Sequence, residues 1–153
     1  MVTVWWYNGG IIHQSFLKTG ETITAEKYCQ ELDTMNEKLK LLRPALVNRK
    51  KVILLHDNAR PHFSKVSLEK IRQLDYEILP HPAFSPGISP TEYHLFKHPD
   101  AFLAQKNFSK QTDVETAFKE FIDSRDADFY RYGIYKFPIR WQKCVDCYGS
   151  YFE

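Results

Sequence analysis

The chain has 153 residues, of which 43% are hydrophobic and 15% aromatic, enough apolar material for a domain-sized core and too much for intrinsic disorder. Its charges nearly cancel, 21 Lys and Arg against 19 Asp and Glu for a formal net charge of +2, so composition alone does not single out a nucleic-acid binder. The strongly apolar stretches, such as Val52 to Leu55, fall far short of the roughly 20 residues that cross a bilayer, which argues against an integral membrane protein.

Met1 is followed directly by Val2-Thr3-Val4-Trp5-Trp6, without the basic segment and apolar core of a secretory signal. Val2 to Tyr7 is β-branched and aromatic, Asn8-Gly9-Gly10 is a turn signal, and Ile11 to Leu17 resumes with alternating apolar residues; the pattern predicts a two-stranded hairpin. Thr24 can then cap a helix whose apolar stripe is Tyr28, Leu32, Met35, Leu39 and Leu42, ending near Pro44. Val52-Ile53-Leu54-Leu55-His56-Asp57 is apolar without alternation, which predicts a central strand covered on both faces.

Asn58 to His62 reads as a loop, and Phe63, Val66, Ile71 and Leu74 as the face of a short helix before a strand at Tyr76-Glu77-Ile78-Leu79. Strand, helix and strand make a parallel crossover. Pro80 to Pro90 is rich in proline and reads as a rigid irregular connection. Ser89-Pro90-Thr91-Glu92 has the form of a capping box, predicting a helix from Pro90 through Phe96, which Pro99 breaks or kinks. A second capping box, Thr112-Asp113-Val114-Glu115, predicts a helix with Phe118, Phe121 and Ile122 buried, and two further helical stretches follow around Phe129 and Trp141. The three cysteines, Cys29, Cys144 and Cys147, are few and odd in number and fit a reducing compartment, nucleus or cytosol. Cys144 and Cys147 have half the spacing of a zinc site but no second ligand pair nearby, and read as structural. The expectation is one α/β domain, residues 1–153, a mixed sheet flanked by helices with a helical C-terminal end.

Asp57 is the chemical anomaly, a carboxylate at the C-terminal edge of an apolar strand, where ligands bind in open α/β sheets; it can equally cap the turn that follows. Glu92 can cap its own helix, or face Asp57 as divalent cations require. Both carboxylates begin turns or helices after strand-like segments, a placement that suits phosphoryl transfer assisted by two metals. His56, His62, His81 and His94 cluster on the same segments, but hard cations do not require imidazole, and hydrogen bonding or phosphate contact is the ordinary role of a loop histidine. Lys38, Lys40, Arg43, Arg49, Lys50 and Lys51 form a basic cluster that reads as a solvated face, or else as a phosphate-contacting one. Arg60, Lys65, Lys97 and Lys106 can surround the site.

His56-Asp57-Asn58-Ala59-Arg60-Pro61-His62 and the block Ser85-Pro86-Gly87-Ile88-Ser89-Pro90-Thr91-Glu92-Tyr93-His94-Leu95-Phe96 resemble the two hallmark blocks of mariner-type transposases. The 34 residues from 58 to 91 that separate Asp57 from Glu92 match the separation between that family's second and third catalytic carboxylates. Trp5-Trp6, Gly20-Glu21-Thr22 and the segment from Arg140-Trp141 to Phe152-Glu153 are similar to it as well, so the likeness runs through the whole chain.

The resemblance implies an RNase H-like (integrase-type) fold holding Mg²⁺ or Mn²⁺, with DNA as partner rather than a membrane or a small-molecule substrate, endonuclease and DNA-integration activity in transposition, and a nuclear location. A homodimer is compatible with it. Asp57 and Glu92 take the catalytic and metal-holding positions, and Asn58, Arg60, His62 and Lys97 the nucleic-acid-facing ones. The chain departs from the family pattern at Glu92, where Asp is usual, at Gly87 and Tyr7, each also in place of Asp, and at Pro99. The family's first catalytic Asp lies on a strand upstream of the Trp-Trp strand, so the chain is expected to be the C-terminal part of the catalytic domain, with weak metal binding and no activity alone. In that fold the missing strand would lie between the hairpin and the Asp57 strand, which should then pair directly or leave a vacancy, with Asp57 and Glu92 converging at one end of the sheet. The alternative is a domesticated, non-enzymatic DNA-binding or protein-interaction module, like the transposase half of a methyltransferase and transposase fusion protein.

Overall fold

The hairpin forms as its turn chemistry requires. Strands β1 (Val2–Tyr7) and β2 (Gly10–Phe16) pair in a two-stranded sheet, and Gly10 takes φ +133° at the turn, a conformation side-chain-bearing residues avoid. The computed structural model describes residues 1–49, 51–82, 86–98 and 107–147. By its internal contacts the chain divides into two units, Met1–Trp5 with Ile12–Ala83, and Trp6–Ile11 with Phe84–Glu153.

In the first unit, helix α1 (Ala25–Leu42) starts where the Thr24 hydroxyl accepts the Lys27 N–H at 3.2 Å, the predicted N-cap. Its stripe of Tyr28, Leu32, Met35 and Leu39 packs with Trp5, Leu54, Ile71 and Tyr76 into one core. Leu42, the stripe's last member, is instead half exposed, because the helix stops there and Pro44 opens a separate short helix, α2 (Pro44–Asn48), that the sequence reading did not anticipate. One polar residue of α1, Asn36, is buried with the core and accepts the Tyr76 hydroxyl, as buried amides require.

The predicted crossover is present but smaller than expected. Strand β3 (Ile53–Leu54) and strand β4 (Glu77–Ile78) pair in parallel, Ile53 with Glu77 and Leu54 with Ile78, on either side of helix α3 (Lys65–Gln73). Contrary to the expectation from its apolar run, this strand is not buried on both faces. Leu54 is buried while its neighbour Ile53 is 62% exposed, so only one face of the apolar run meets the core. The hairpin and the β3–β4 pair are separate sheets, not directly paired, and among the described residues no strand joins them.

Helix α3 buries only part of the predicted face, Ile71 together with Leu74, which packs against the core. Ser64 caps it, its Oγ accepting Ser67 N–H at 3.1 Å. Ile71 and the fully buried Ser67 face inward, whereas Phe63 and Val66 are exposed. Ser67 is tolerated inside because its hydroxyl donates to the Pro61 carbonyl, satisfying the polar group locally.

The second unit is helical. After a 3₁₀ turn at Pro86–Ile88, the helix predicted at 90–96 starts at Pro90 as expected but takes the π-helical pattern over Thr91–Leu95, with Phe96 N–H bonded to the Thr91 carbonyl at 2.8 Å. The capping box is absent: the Ser89 carbonyl accepts Glu92 N–H and Tyr93 N–H, each at 2.9 Å. Helix α4 (Gln111–Asp123) begins one residue before the second predicted box, with Lys110 at its N-cap and no side-chain cap. Thr112 thus lies inside the helix, its carbonyl bonded to the Thr116 hydroxyl at 2.8 Å. The expected face is buried, with Ala117, Phe118, Phe121 and Ile122 inside.

The two stretches predicted around Phe129 and Trp141 are one helix, α5 (Ala127–Asp146), capped by Asp126 and continuing through Pro138. Ile88, Leu95 and Tyr130 are buried as well, and the Tyr130 hydroxyl donates to the Ile122 carbonyl at 2.9 Å. Cys29, Cys144 and Cys147 are free thiols. No described helix is long and apolar enough to cross a membrane. Pro99, Lys50, Lys106, Ser85 and the segment from 148 onward lie outside the described residues.

Candidate functional site

Asp57 stands three residues beyond β3, where the chain leaves the strand for a 3₁₀ turn at Arg60–His62. Its Oδ1 accepts the backbone N–H of Ala59 at 3.0 Å and lies 2.8 Å from His62 Nδ1. His62 Nδ1 is also 3.1 Å from the Asp57 carbonyl. Both neighbours are acceptors, so Nδ1 carries the proton and donates. This is the Asx-turn geometry that sequence reasoning held open for Asp57, yet it commits only Oδ1. The Asp57 side chain remains 67% exposed, so capping and ligand binding are compatible in one carboxylate.

Behind Asp57 lies a stack of rings. His56 and His62 are nearly parallel with centroids 4.9 Å apart, and Tyr28 packs on His62 at 4.3 Å. The Tyr28 hydroxyl is 2.5 Å from His56 Nδ1. Burial, reinforced by the neighbouring His62 and partly offset by Asp57, pushes the His56 pKa down to about 4. Desolvation also lowers the His81 pKa, with Asp57 acting in the opposite direction. Asn58 donates its side-chain N–H to the His81 carbonyl at 2.8 Å, tying the Asp57 loop to the chain after β4. Arg60 is exposed.

Four predicted residues, Asp57, Asn58, Arg60 and His62, therefore occupy one loop of the first unit. Sequence reasoning missed Tyr28, whose place in an apolar stripe masked its hydroxyl. His62, expected to face nucleic acid, has its Nδ1 committed to Asp57 and a side chain only 16% exposed.

Glu92 and Lys97 belong to the second unit. Glu92 is the second residue of the π-helical turn and is exposed, and among the described residues its carboxylate has no hydrogen bond or ion pair. The residues around it are tied down. Thr91 Oγ1 accepts the Trp6 indole N–H at 3.0 Å, the Tyr93 hydroxyl donates to the Gly133 carbonyl at 2.6 Å, and His94 Nε2 donates to the Phe129 carbonyl at 2.7 Å. His94 is buried, and desolvation lowers its pKa. Gly133 is required by this packing, since a Cβ there would sit 2.3 Å from His94 Cδ2. Pairing of Trp6 with Thr91 could not be found from sequence spacing, because the two are 85 residues apart. Lys97 is exposed.

The basic cluster at and beyond the end of α1 is partly neutralised: Lys40 pairs with Glu37 at 3.5 Å and Lys51 with Asp75 at 3.7 Å, while Lys38 Nζ donates to His13 Nδ1 at 2.8 Å. Among the described residues no three His, Cys, Asp or Glu side chains are grouped so as to hold a metal ion.

Comparison with known proteins places this geometry in a family. The family described as Transposase (partial DDE domain) matches residues 1–49. The whole chain is 59% identical to a segment of human (Homo sapiens) Histone-lysine N-methyltransferase SETMAR, covering 22% of that protein. It is also 39% identical to the Mariner Mos1 transposase of Drosophila mauritiana, covering 45% of it. It thus spans less than half the length of either relative.

Among solved structures, the Mos1 transposase catalytic domain with Raltegravir and Mg superposes with a TM-score of 0.94 at 40% identity, over 99% of this chain and 76% of that one. The Mos1 mariner paired end complex with Mn superposes with a TM-score of 0.92 at 39% identity, over 99% of this chain and 44% of that one. The chain belongs to the mariner-type transposases and has the RNase H-like fold of their catalytic domain.

Proposed function

We propose that Asp57 and Glu92 are two of the carboxylates with which a mariner-type transposase holds Mg²⁺ or Mn²⁺ for cleavage and strand transfer of DNA. The observation that carries the reading is that both stand exposed on short turns with carboxylate oxygen left over after local bonding: Asp57 commits Oδ1 to Ala59 and His62, and Glu92 commits neither oxygen among the described residues. An all-oxygen donor set suits hard cations of this kind. Such ions supply, when bound, activation of the attacking oxygen and stabilisation of the leaving 3′-oxygen.

The chain's own residues would prepare the site. Ala59 N–H and His62 hold Oδ1 of an exposed Asp57 side chain, and Asn58 fixes the loop to the carbonyl of His81. Arg60 and Lys97 are exposed cations available to DNA phosphates. Strands β1 and β2 contain no Asp or Glu, and Glu21, the first acidic residue, is held by Lys27 at 2.9 Å. Two carboxylates hold one hydrated ion weakly, so a two-ion site needs a further carboxylate. A nuclear location and a homodimeric assembly on DNA accompany this reading.

A magnesium-dependent nicking assay on supercoiled DNA tests it. The 153 residues alone should not nick at a measurable rate, and should bind Mn²⁺ weakly in a manner lost in Asp57→Ala. Nicking by these residues that Asp57→Ala abolishes would refute the incomplete site, and Mn²⁺ binding indifferent to Asp57→Ala would refute the assignment. A second reading, a non-enzymatic DNA-binding or protein-interaction module, is favoured by the 59% identity to a protein named as a histone methyltransferase. DNA binding that needs neither a divalent ion nor Asp57 would support it.

A further inference from the structure

We infer that Trp6 is a positioning residue for Glu92, acting through Thr91, an inference that rests on the reading of Glu92 as a metal ligand. The π-helical turn at Thr91–Leu95 lies between helical residues at 90 and at 97–98, and a single turn fixes several residues for few hydrogen bonds, so it depends on contacts beyond its own backbone. It has no side-chain cap. Its conformation is therefore imposed by neighbours in the same unit, and these attach to residues on both sides of Glu92. On the far side, Tyr93 and His94 bond to the carbonyls of Gly133 and Phe129, one turn apart on α5, and the Arg140 guanidinium lies 4.7 Å over the Tyr93 ring.

On the near side the anchor is Trp6. Its indole N–H, a donor only, reaches Thr91 Oγ1 at 3.0 Å, so the threonine hydroxyl must accept and its rotamer is fixed. The same indole lies against the His94 ring at 6.5 Å and 25°, and against Tyr130 at 6.1 Å. Trp6 thus touches Thr91 and His94, the residues that bracket Glu92 and Tyr93, while Glu92 itself is left exposed. π-Helical turns inside helical segments recur at functional sites because the inserted residue redirects a side chain. Releasing Thr91 frees the turn to change register, and a change of one residue would carry the Glu92 carboxylate away from its present direction.

Mn²⁺ binding to the full chain, read from the electron paramagnetic resonance signal of the free ion well below the melting temperature of each variant, tests this. Trp6→Phe, which keeps a ring but has no N–H, and Thr91→Val, which keeps the shape but has no hydroxyl, should each weaken binding about tenfold, as loss of a group that orients a metal ligand does. Thr91→Ser should restore binding to near the wild-type value, and the Trp6→Phe/Thr91→Val double variant should be no worse than either single one. Ser124→Ala, which removes a structural hydrogen bond to the Phe121 carbonyl in the same unit, should leave binding unchanged.

If Glu92→Gln weakens binding but Trp6→Phe and Thr91→Val do not, the inference fails and the reading of Glu92 stands. If Glu92→Gln has no effect, or the wild-type chain binds no Mn²⁺, both fail. Should Trp6→Phe not fold, the contrast between Thr91→Val and Thr91→Ser decides alone.

Discussion

Gly133→Ala separates local helix physics from tertiary packing by the sign of its effect. Gly133 lies inside the 20-residue helix α5, where propensity alone favours alanine by about 1 kcal/mol. Its environment opposes the change, because an added Cβ meets His94 at 2.3 Å from Cδ2, 2.8 Å from Cγ and 3.0 Å from Nε2. The ring cannot swing away freely, being 3% exposed and held by its bond to the Phe129 carbonyl. Overpacking of this kind costs about 1–3 kcal/mol, and loss of the buried hydrogen bond about 1 kcal/mol more. The expected net effect is a destabilisation of about 2 kcal/mol, or roughly 4–8 °C in melting temperature for a chain of this size. Thermal unfolding followed by circular dichroism measures it. A double-mutant cycle with His94→Ala should show favourable coupling, since the smaller residue at 94 makes room for the methyl. An alanine variant more stable than the wild type would refute the packing argument and leave propensity in control.

Other consequences are equally direct. His13 donates through Nε2 to Glu31 at 3.1 Å and accepts the Lys38 ammonium at Nδ1. Burial lowers its pKa, with Glu31 opposing and Lys38 reinforcing the effect; because the folded pKa lies below the unfolded value near 6.5, the neutral ring's contribution to stability is complete above that pH and is lost as the pH falls through and below it. Lys38→Met should raise the His13 pKa, and an unchanged value by NMR titration would show that the Lys38 contact is not formed. Tyr76→Phe leaves the buried Asn36 without its donor and should cost about 1–3 kcal/mol in urea unfolding; a near-neutral result would mean that water replaces the hydroxyl. DNA binding by these residues should be independent of sequence and fall steeply with salt, as phosphate contacts do, so retention of a specific site at high salt in a gel-shift assay would contradict it.

Much of this was legible in the sequence where the determinant was local. Thr24 and the stripe from Tyr28 to Leu39 specified α1, the Asn8-Gly9-Gly10 turn specified the hairpin, and two motif blocks with their spacing identified the family. The misreadings share a cause. Ser89-Pro90-Thr91-Glu92 and Thr112-Asp113-Val114-Glu115 both carry the letters of a capping box, yet neither caps a helix. Whether a hydroxyl meets an N–H depends on where the helix axis is set, and that is decided by contacts such as those of Tyr93 and His94 with α5. The stretches expected around Phe129 and Trp141 are likewise one helix, α5, which runs on through Pro138.

What the sequence by itself determined is the hairpin, α1, the parallel crossover and the apolar faces of α1 and α4, with Asp57 and Glu92 as the carboxylates of the two motif blocks. Tertiary structure alone decided that Val52 to Leu55 presents only one face to the core, that Asp57 keeps one oxygen uncommitted while His62 holds the other, and that Glu92 stands on a π-helical turn held by Trp6 and α5. Periodicity and caps are written within a few residues of one another. The direction of a carboxylate is set by side chains as distant in sequence as Trp6 and Thr91, whose meeting is a property of the folded chain.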